Sequence, residues 1–137
     1  MDGNTKGLFA QEKVILRAIE KGVTVSRPIC ETCRYDLILD DGKLWRVQVK
    51  YAGGKSSHTE GAVMVALRTW NHKGPTKKNK VYSSTEVDAL LVYVPRLDKV
   101  LWFDAGVFAG KTALSVRVTP TKSNQRKRCH FAESYIW

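Results

Sequence analysis

"YDLILDDGKLWRVQVK", residues 35–50, is the stretch whose reading decides the fold. It holds two alternating runs about Asp41-Gly42, the signature of two strands joined by a tight turn. Tyr35, Leu37 and Leu39 leave one face of the first strand, and Trp45, Val47 and Val49 leave one face of the second. Arg46, Gln48 and Lys50 leave the other face. Turn length decides where Asp36 points. A two-residue loop pairs Asp40 with Lys43 and turns Asp36 away from Gln48 and Lys50. A three-residue loop, Asp40-Asp41-Gly42 with Gly42 in the left-handed bulge position, pairs Asp36 with Arg46 and brings all four polar side chains to one face. The pattern permits both turns.

Upstream, residues 7–21 have helical spacing, with Asn4 or Thr5 as candidate caps and Gly22 suited to the position past the end. Leu8, Phe9, Ile15, Leu16 and Ile19 fall on one face at 100° per residue, and Glu12 lies in the middle of that stripe. A buried carboxylate needs a partner. Glu12 therefore reads either as half of a core salt bridge or as a carboxylate held where a cation binds.

Downstream, residues 62–68, 87–95, 99–105 and 113–118 read as strands, with 23–28 as a further strand before residue 34. One helix, a mixed, mostly antiparallel sheet and late helical cover make an α/β (α+β) chain, read as one domain over residues 1–137. Trp70 and Tyr82 flank a basic loop where they could stack on bases, but core packing is the better assignment for both.

The charge is unbalanced. Twenty-three Lys and Arg against 13 Asp and Glu give a net charge of +10 on 137 residues, which implies a polyanionic partner, most simply nucleic acid. No long apolar run or basic amphipathic helix favours a membrane, and no apolar segment near the start marks secretion, so a soluble cytoplasmic protein is expected. Lys73, Lys77, Lys78 and Lys80, with Lys122, Arg126, Lys127 and Arg128, form two basic segments without an acid and are expected to contact phosphates. Arg46 and Arg68 are further candidate contacts to the nucleic acid. Cys30 and Cys33 have zinc-like spacing, and Cys129-His130 could complete four ligands, but a single Cys-x-x-Cys falls short of a structural zinc site. His58, His72 and His130 lack the spacing of a His-Cys nuclease.

A helix with a Glu ("GLFAQEKVILRAI"), a strand with an Asp ("RYDLILDDGKLW") and a strand with x-Lys ("RVQVKY") together resemble the PD-(D/E)XK nuclease superfamily. The resemblance covers residues 7–52. Gln48 stands where that pattern has an acid, a variant similar to the intron-encoded homing endonucleases with QxK and, more distantly, to archaeal Holliday-junction resolvases. The resemblance implies a restriction-endonuclease-like core and Mg²⁺-dependent hydrolysis of DNA phosphodiesters, with Mn²⁺ able to substitute. It implies Glu12, Asp36, Gln48 and the Val49 carbonyl as metal ligands, and Lys50 as the residue that orients or deprotonates water or stabilises the oxyanion. Double-stranded or branched DNA is the implied substrate, and cutting both strands with one site per chain implies a homodimer or homotetramer. A DNA-binding module without catalysis is the alternative. For Asp36 to share the site, the turn must be odd-numbered, and the three-residue loop ending at Gly42 is expected.

Overall fold

The computed structural model describes residues 1–54, 60–70, 79–120 and 129–137. Helix α1 (Gly3–Glu20) begins earlier than its spacing predicts because Asp2, not Asn4 or Thr5, is the cap: its carboxylate accepts the Thr5 N–H at 2.8 Å. Gly22, just past the end, has φ +71°, the left-handed conformation that lets the chain turn back into the sheet.

The main sheet has the order β1 (Thr24–Ser26), β2 (Leu37–Asp40), β3 (Leu44–Tyr51), β7 (Ala89–Val94), β8 (Lys99–Asp104). All its pairings are antiparallel except β3 with β7, so the sheet is mixed. The crossover between those parallel strands carries β4 (Ala62–Ala66), β5 (Thr69–Trp70) and β6 (Asn79–Lys80). β5 pairs with β6 within the segment read as a basic loop, and β4 pairs with β9 (Ala113–Arg117) in a small second sheet. The short helix α2 (Ala105–Phe108) follows β8 and buries Phe108.

Each face of the sheet is covered. On one, α1 packs against Leu37, Leu39, Val47, Val49 and Leu91; on the other, Leu90, Val92, Leu101 and Phe103 meet Val63, Val65, Tyr82 and Val116. The first cluster contains Leu37, Leu39, Val47 and Val49 from the apolar face of the hairpin, with Trp45 half-buried against it; Tyr35 is half-buried outside it. β7 is buried along its whole length, as a central strand covered on both faces should be.

The helix face differs from expectation. Ala10, Val14 and Ala18 are the buried positions, whereas Leu8, Phe9, Leu16 and Ile19 are exposed. Small residues at i, i+4 and i+8 let α1 lie close to a sheet that already presents leucines and valines. The larger apolar side chains therefore face outward, and Glu12, placed among them, goes out too. Among the described residues no helix is long and apolar enough to cross a membrane.

Candidate active site

The turn between β2 and β3 has three residues, but they are Asp41, Gly42 and Lys43 rather than Asp40, Asp41 and Gly42. Asp40 pairs with Leu44 and Leu37 with Val47, which places Asp36 opposite Gln48 and not opposite Arg46. Side-chain caps explain the shift. The Asp40 carboxylate accepts the Gly42 N–H at 3.0 Å, and Asp41 Oδ1 accepts the Lys43 N–H and the Trp45 Nε1–H at 3.2 and 3.1 Å. Gly42 supplies the positive φ, +104°. Slipping the pairing by two residues preserves the faces, so Asp36, Gln48 and Lys50 leave the sheet together.

Asp36 lies just before β2. Its N–H donates to the Val47 carbonyl at 2.8 Å, and its Oδ2 accepts both the Val49 N–H at 2.8 Å and Gln48 Nε2 at 2.6 Å. The same Gln48 nitrogen donates to the Val49 carbonyl oxygen at 3.3 Å. Two oxygens, one from a carboxylate and one from the backbone, thus converge on a single amide N–H₂ group. Among the described residues Gln48 is the polar side chain buried in the core. Burial pushes the Asp36 carboxyl above the usual aspartate value; the Val49 N–H and the Lys50 charge oppose that effect in part. Lys50, half-buried, rests with its ammonium over the ring of Tyr82.

Glu12 is not part of this cluster. It is exposed on the outer face of α1 and accepts a hydrogen bond from Arg27 Nη2 at the rim of the site. A carboxylate there avoids desolvation, so nothing draws it into the core. Its neighbour Gln11, with Arg27, Cys30, Cys33, Tyr35 and Asp36, lines a cavity of about 390 Å³. Among the described residues, no three or more His, Cys, Asp or Glu are grouped so as to hold a metal ion. The oxygens at Asp36 form a smaller set, one carboxylate completed by neutral donors.

Arg46 is also placed differently. Its guanidinium binds Asp88 through Nε to Oδ2 at 3.0 Å and Nη2 to Oδ1 at 2.9 Å, and its own N–H donates to Oδ2 at 2.8 Å. A further bond from Nη1 reaches the Thr85 carbonyl at 2.8 Å. These contacts tie β3 to the start of β7 and leave little of Arg46 for a phosphate. Arg46 holds the Asp88 carboxyl below its usual value. Arg68 is exposed, and Lys80 lies 3.5 Å from Glu86 Oε1. Lys73, Lys77, Lys78, Lys122, Arg126, Lys127 and Arg128 lie outside the described residues. Cys30 and Cys33 are exposed and Cys129 is half-buried.

Sequence reasoning passed over Asp88, Arg34 and Tyr82 as parts of this neighbourhood. Asp88 carried a signal: an acid immediately before the apolar run Ala89–Val94 needs a cationic partner. Arg34 carried none, because its partners Glu86 and the Val81 carbonyl are far along the chain.

The sequence profile of the PD-(D/E)XK endonucleases matches residues 1–137. Among solved structures, the bacterial homing endonuclease I-Ssp6803I is similar, with a TM-score of 0.79 and 27% identity over 99% of this chain and 89% of that one. MepB superposes with a TM-score of 0.43 and 18% identity over 85% of each chain. None of the curated proteins matches the sequence.

Proposed function

The chain belongs to the PD-(D/E)XK endonuclease family, and from that premise we propose a divalent-metal-dependent DNA endonuclease of the homing type, cutting both strands at a specific site. The observation that carries this reading is the convergence of Asp36 Oδ2 and the Val49 carbonyl on Gln48 Nε2 beside Lys50. An N–H donor now lies between two oxygens that could also receive a hard cation. Turning the amide by 180° presents Gln48 Oε1 with those two oxygens, an all-oxygen set suited to Mg²⁺ or Mn²⁺. The fit extends to charge, since a desolvated Asp36 carboxylate gains from a neighbouring cation. When bound, the metal polarises the phosphate and makes water more acidic.

The protein's own groups do the rest. Asp36, Gln48 and the Val49 carbonyl would hold the ion. Lys50 points its ammonium from the same face, placed to orient the attacking water and to stabilise charge on the phosphate oxygens. Glu12, paired with Arg27, stays outside this set. Likeness to I-Ssp6803I at 27% identity supports the homing reading over the resolvase reading.

One site per chain, cutting two strands, needs at least two copies. The outward stripe of Leu8, Leu16 and Ile19 on α1 supports self-association, because a stripe of large apolar side chains on one helix is otherwise costly to expose. The net charge of +10 supports binding to DNA.

The test is incubation of the purified protein with plasmid and four-way-junction DNA, with and without Mg²⁺ or Mn²⁺. Metal-dependent cuts at discrete plasmid positions are expected; cuts confined to junctions select the resolvase. Asp36→Ala and Lys50→Ala should abolish cleavage while retaining salt-sensitive DNA binding. Undiminished cleavage by either variant overturns the assignment.

A further inference from the structure

Lys50 leaves β3 one alternate position after Gln48, and its Nζ sits 5.3 Å from the centroid of the Tyr82 ring. That ring is 1% exposed and packed in the core between the main sheet and the β4–β9 sheet. A second cation fixes it: Arg34 Cζ lies 4.6 Å from the same centroid. The Arg34 guanidinium is itself pinned, donating from Nε to Glu86 Oε2 at 2.8 Å and from Nη2 to the Val81 carbonyl at 3.0 Å. Tyr82 is therefore held from two sides, by packing and by a guanidinium anchored through hydrogen bonds to Glu86 and Val81. Among the described residues Lys50 has no ion pair with a carboxylate within 4.0 Å.

An ammonium that must meet a phosphate or a water faces two conflicting demands. Its flexible four-carbon stem has to be restrained, yet its charge and its N–H donors have to stay free. A carboxylate partner satisfies the first demand and defeats the second. An aromatic face satisfies both: the ring quadrupole attracts the cation without neutralising it and leaves N–H groups on the side away from the ring open to other acceptors.

We propose that Tyr82 is a positioning residue, whose ring holds the Lys50 ammonium beside the Asp36–Gln48 pair, ready for the DNA backbone. The role for Lys50 rests on the nuclease reading above, but the contact between ammonium and ring does not. The side chain that matters is the ring face rather than the hydroxyl.

The first measurement needs neither metal nor DNA. In ¹H–¹³C spectra of the wild-type protein, the ε-methylene signal that disappears in Lys50→Ala should be displaced upfield by the ring current. Tyr82→Phe should keep the displacement, and Tyr82→Leu should lose it. In single-turnover cleavage at saturating DNA and Mg²⁺, Tyr82→Leu should be slowed about 3- to 30-fold with DNA affinity unchanged, and Tyr82→Phe should cleave like the wild type. A Lys50 ε-methylene at the ordinary shift in the wild-type protein overturns the proposal even if Tyr82→Leu does not fold. So does a folded Tyr82→Leu that cleaves as fast as Tyr82→Phe. Cleavage surviving in Lys50→Ala would instead refute the nuclease role of Lys50 and leave the spectroscopic result standing.

Discussion

Asp36→Asn removes one negative charge and almost no geometry. Asparagine is isosteric, and its Oδ1 can accept the Val49 N–H and Gln48 Nε2 as Asp36 Oδ2 does at 2.8 and 2.6 Å. What changes is the cost of keeping a carboxylate ionised in a half-buried place. Asp36 titrates above 3.8, its ordinary value, chiefly because burial disfavours the charged form. A group whose native pKa is raised binds protons more tightly in the folded state, so its stabilising contribution is present below pH 3.8 and is lost as pH rises through the native value. At neutral pH the ionised Asp36 therefore counts against folding. Each unit of elevation is worth about 1.4 kcal/mol, so the direction of the shift fixes the sign of the effect. For a chain of this size each kcal/mol corresponds to about 4 °C in Tm, which sets the scale on which the difference is read.

Thermal unfolding of wild type and Asp36→Asn in chelator should show the variant more stable at pH 7, with the difference vanishing as the pH falls below 3.8. Adding Mg²⁺ should then reverse the order. An ion that binds the native wild-type site at ten times its dissociation constant stabilises by about 1.4 kcal/mol, and the variant should gain almost none of this. The variant should also be inactive. An Asp36→Asn protein that melts lower at pH 7 in chelator, or that Mg²⁺ stabilises as much as wild type, would sink both the electrostatic argument and the ligand assignment.

Asp88→Asn should destabilise the fold by about 1–3 kcal/mol in chemical denaturation, because Arg46 loses a charged acceptor for three of its N–H groups. Since Asp88 is held below 3.8, its contribution is present above that pH and fades as acid protonates it, so the variant should show a flatter stability profile at the acid end. Glu12→Gln should change stability by less than about 1 kcal/mol, its pair with Arg27 being half exposed, and should reduce cleavage less than Asp36→Asn in the same plasmid assay. Gln48→Glu should place a second carboxylate against Asp36 and cost on the order of 2 kcal/mol without metal. Its Tm should rise more steeply with Mg²⁺ than that of wild type.

The order of helix, hairpin and later strands was legible because hydrophobic period and turn residues are local signals. Parity was legible too: a site needing Asp36, Gln48 and Lys50 on one face demanded an odd turn, and the turn is odd. Its position was not: the loop sits one residue later than expected, which slips the pairing by two, since the three acidic or glycine residues at 40–42 offer equivalent caps until Trp45 Nε1 and the Lys43 N–H choose Asp41. The helix face was misread for a related reason. Periodicity finds a stripe of large apolar residues, but a sheet already filled with leucine and valine accepts the stripe of alanine and valine. That choice is made by volume, which no pattern in residues 7–21 contains, and it carried Glu12 outward with Leu8 and Leu16. The lock between Arg46 and Asp88 crosses 42 residues, and the register that brings them together follows from the parallel pairing of β3 with β7.

The placement of Gln48 makes physical sense of a neutral residue in an otherwise acidic motif. Two carboxylates at positions 36 and 48, with oxygens as close as the present 2.6 Å contact, could not both ionise in a half-buried site without an ion between them. Such a pair couples the local structure to metal. An amide does not: its N–H₂ donates to Asp36 and to the Val49 carbonyl when no cation is there, and every buried side-chain N or O atom among the described residues has a hydrogen-bond partner. Half a turn about the last side-chain bond then offers an oxygen to the same two partners in place of the nitrogen. The β2–β3 hairpin can thus be complete before metal arrives. On the proposed metal-dependent reading the trade is one fewer negative charge beside the cation, so phosphate oxygens of DNA would supply the missing charge and metal should bind more tightly with DNA present than without it.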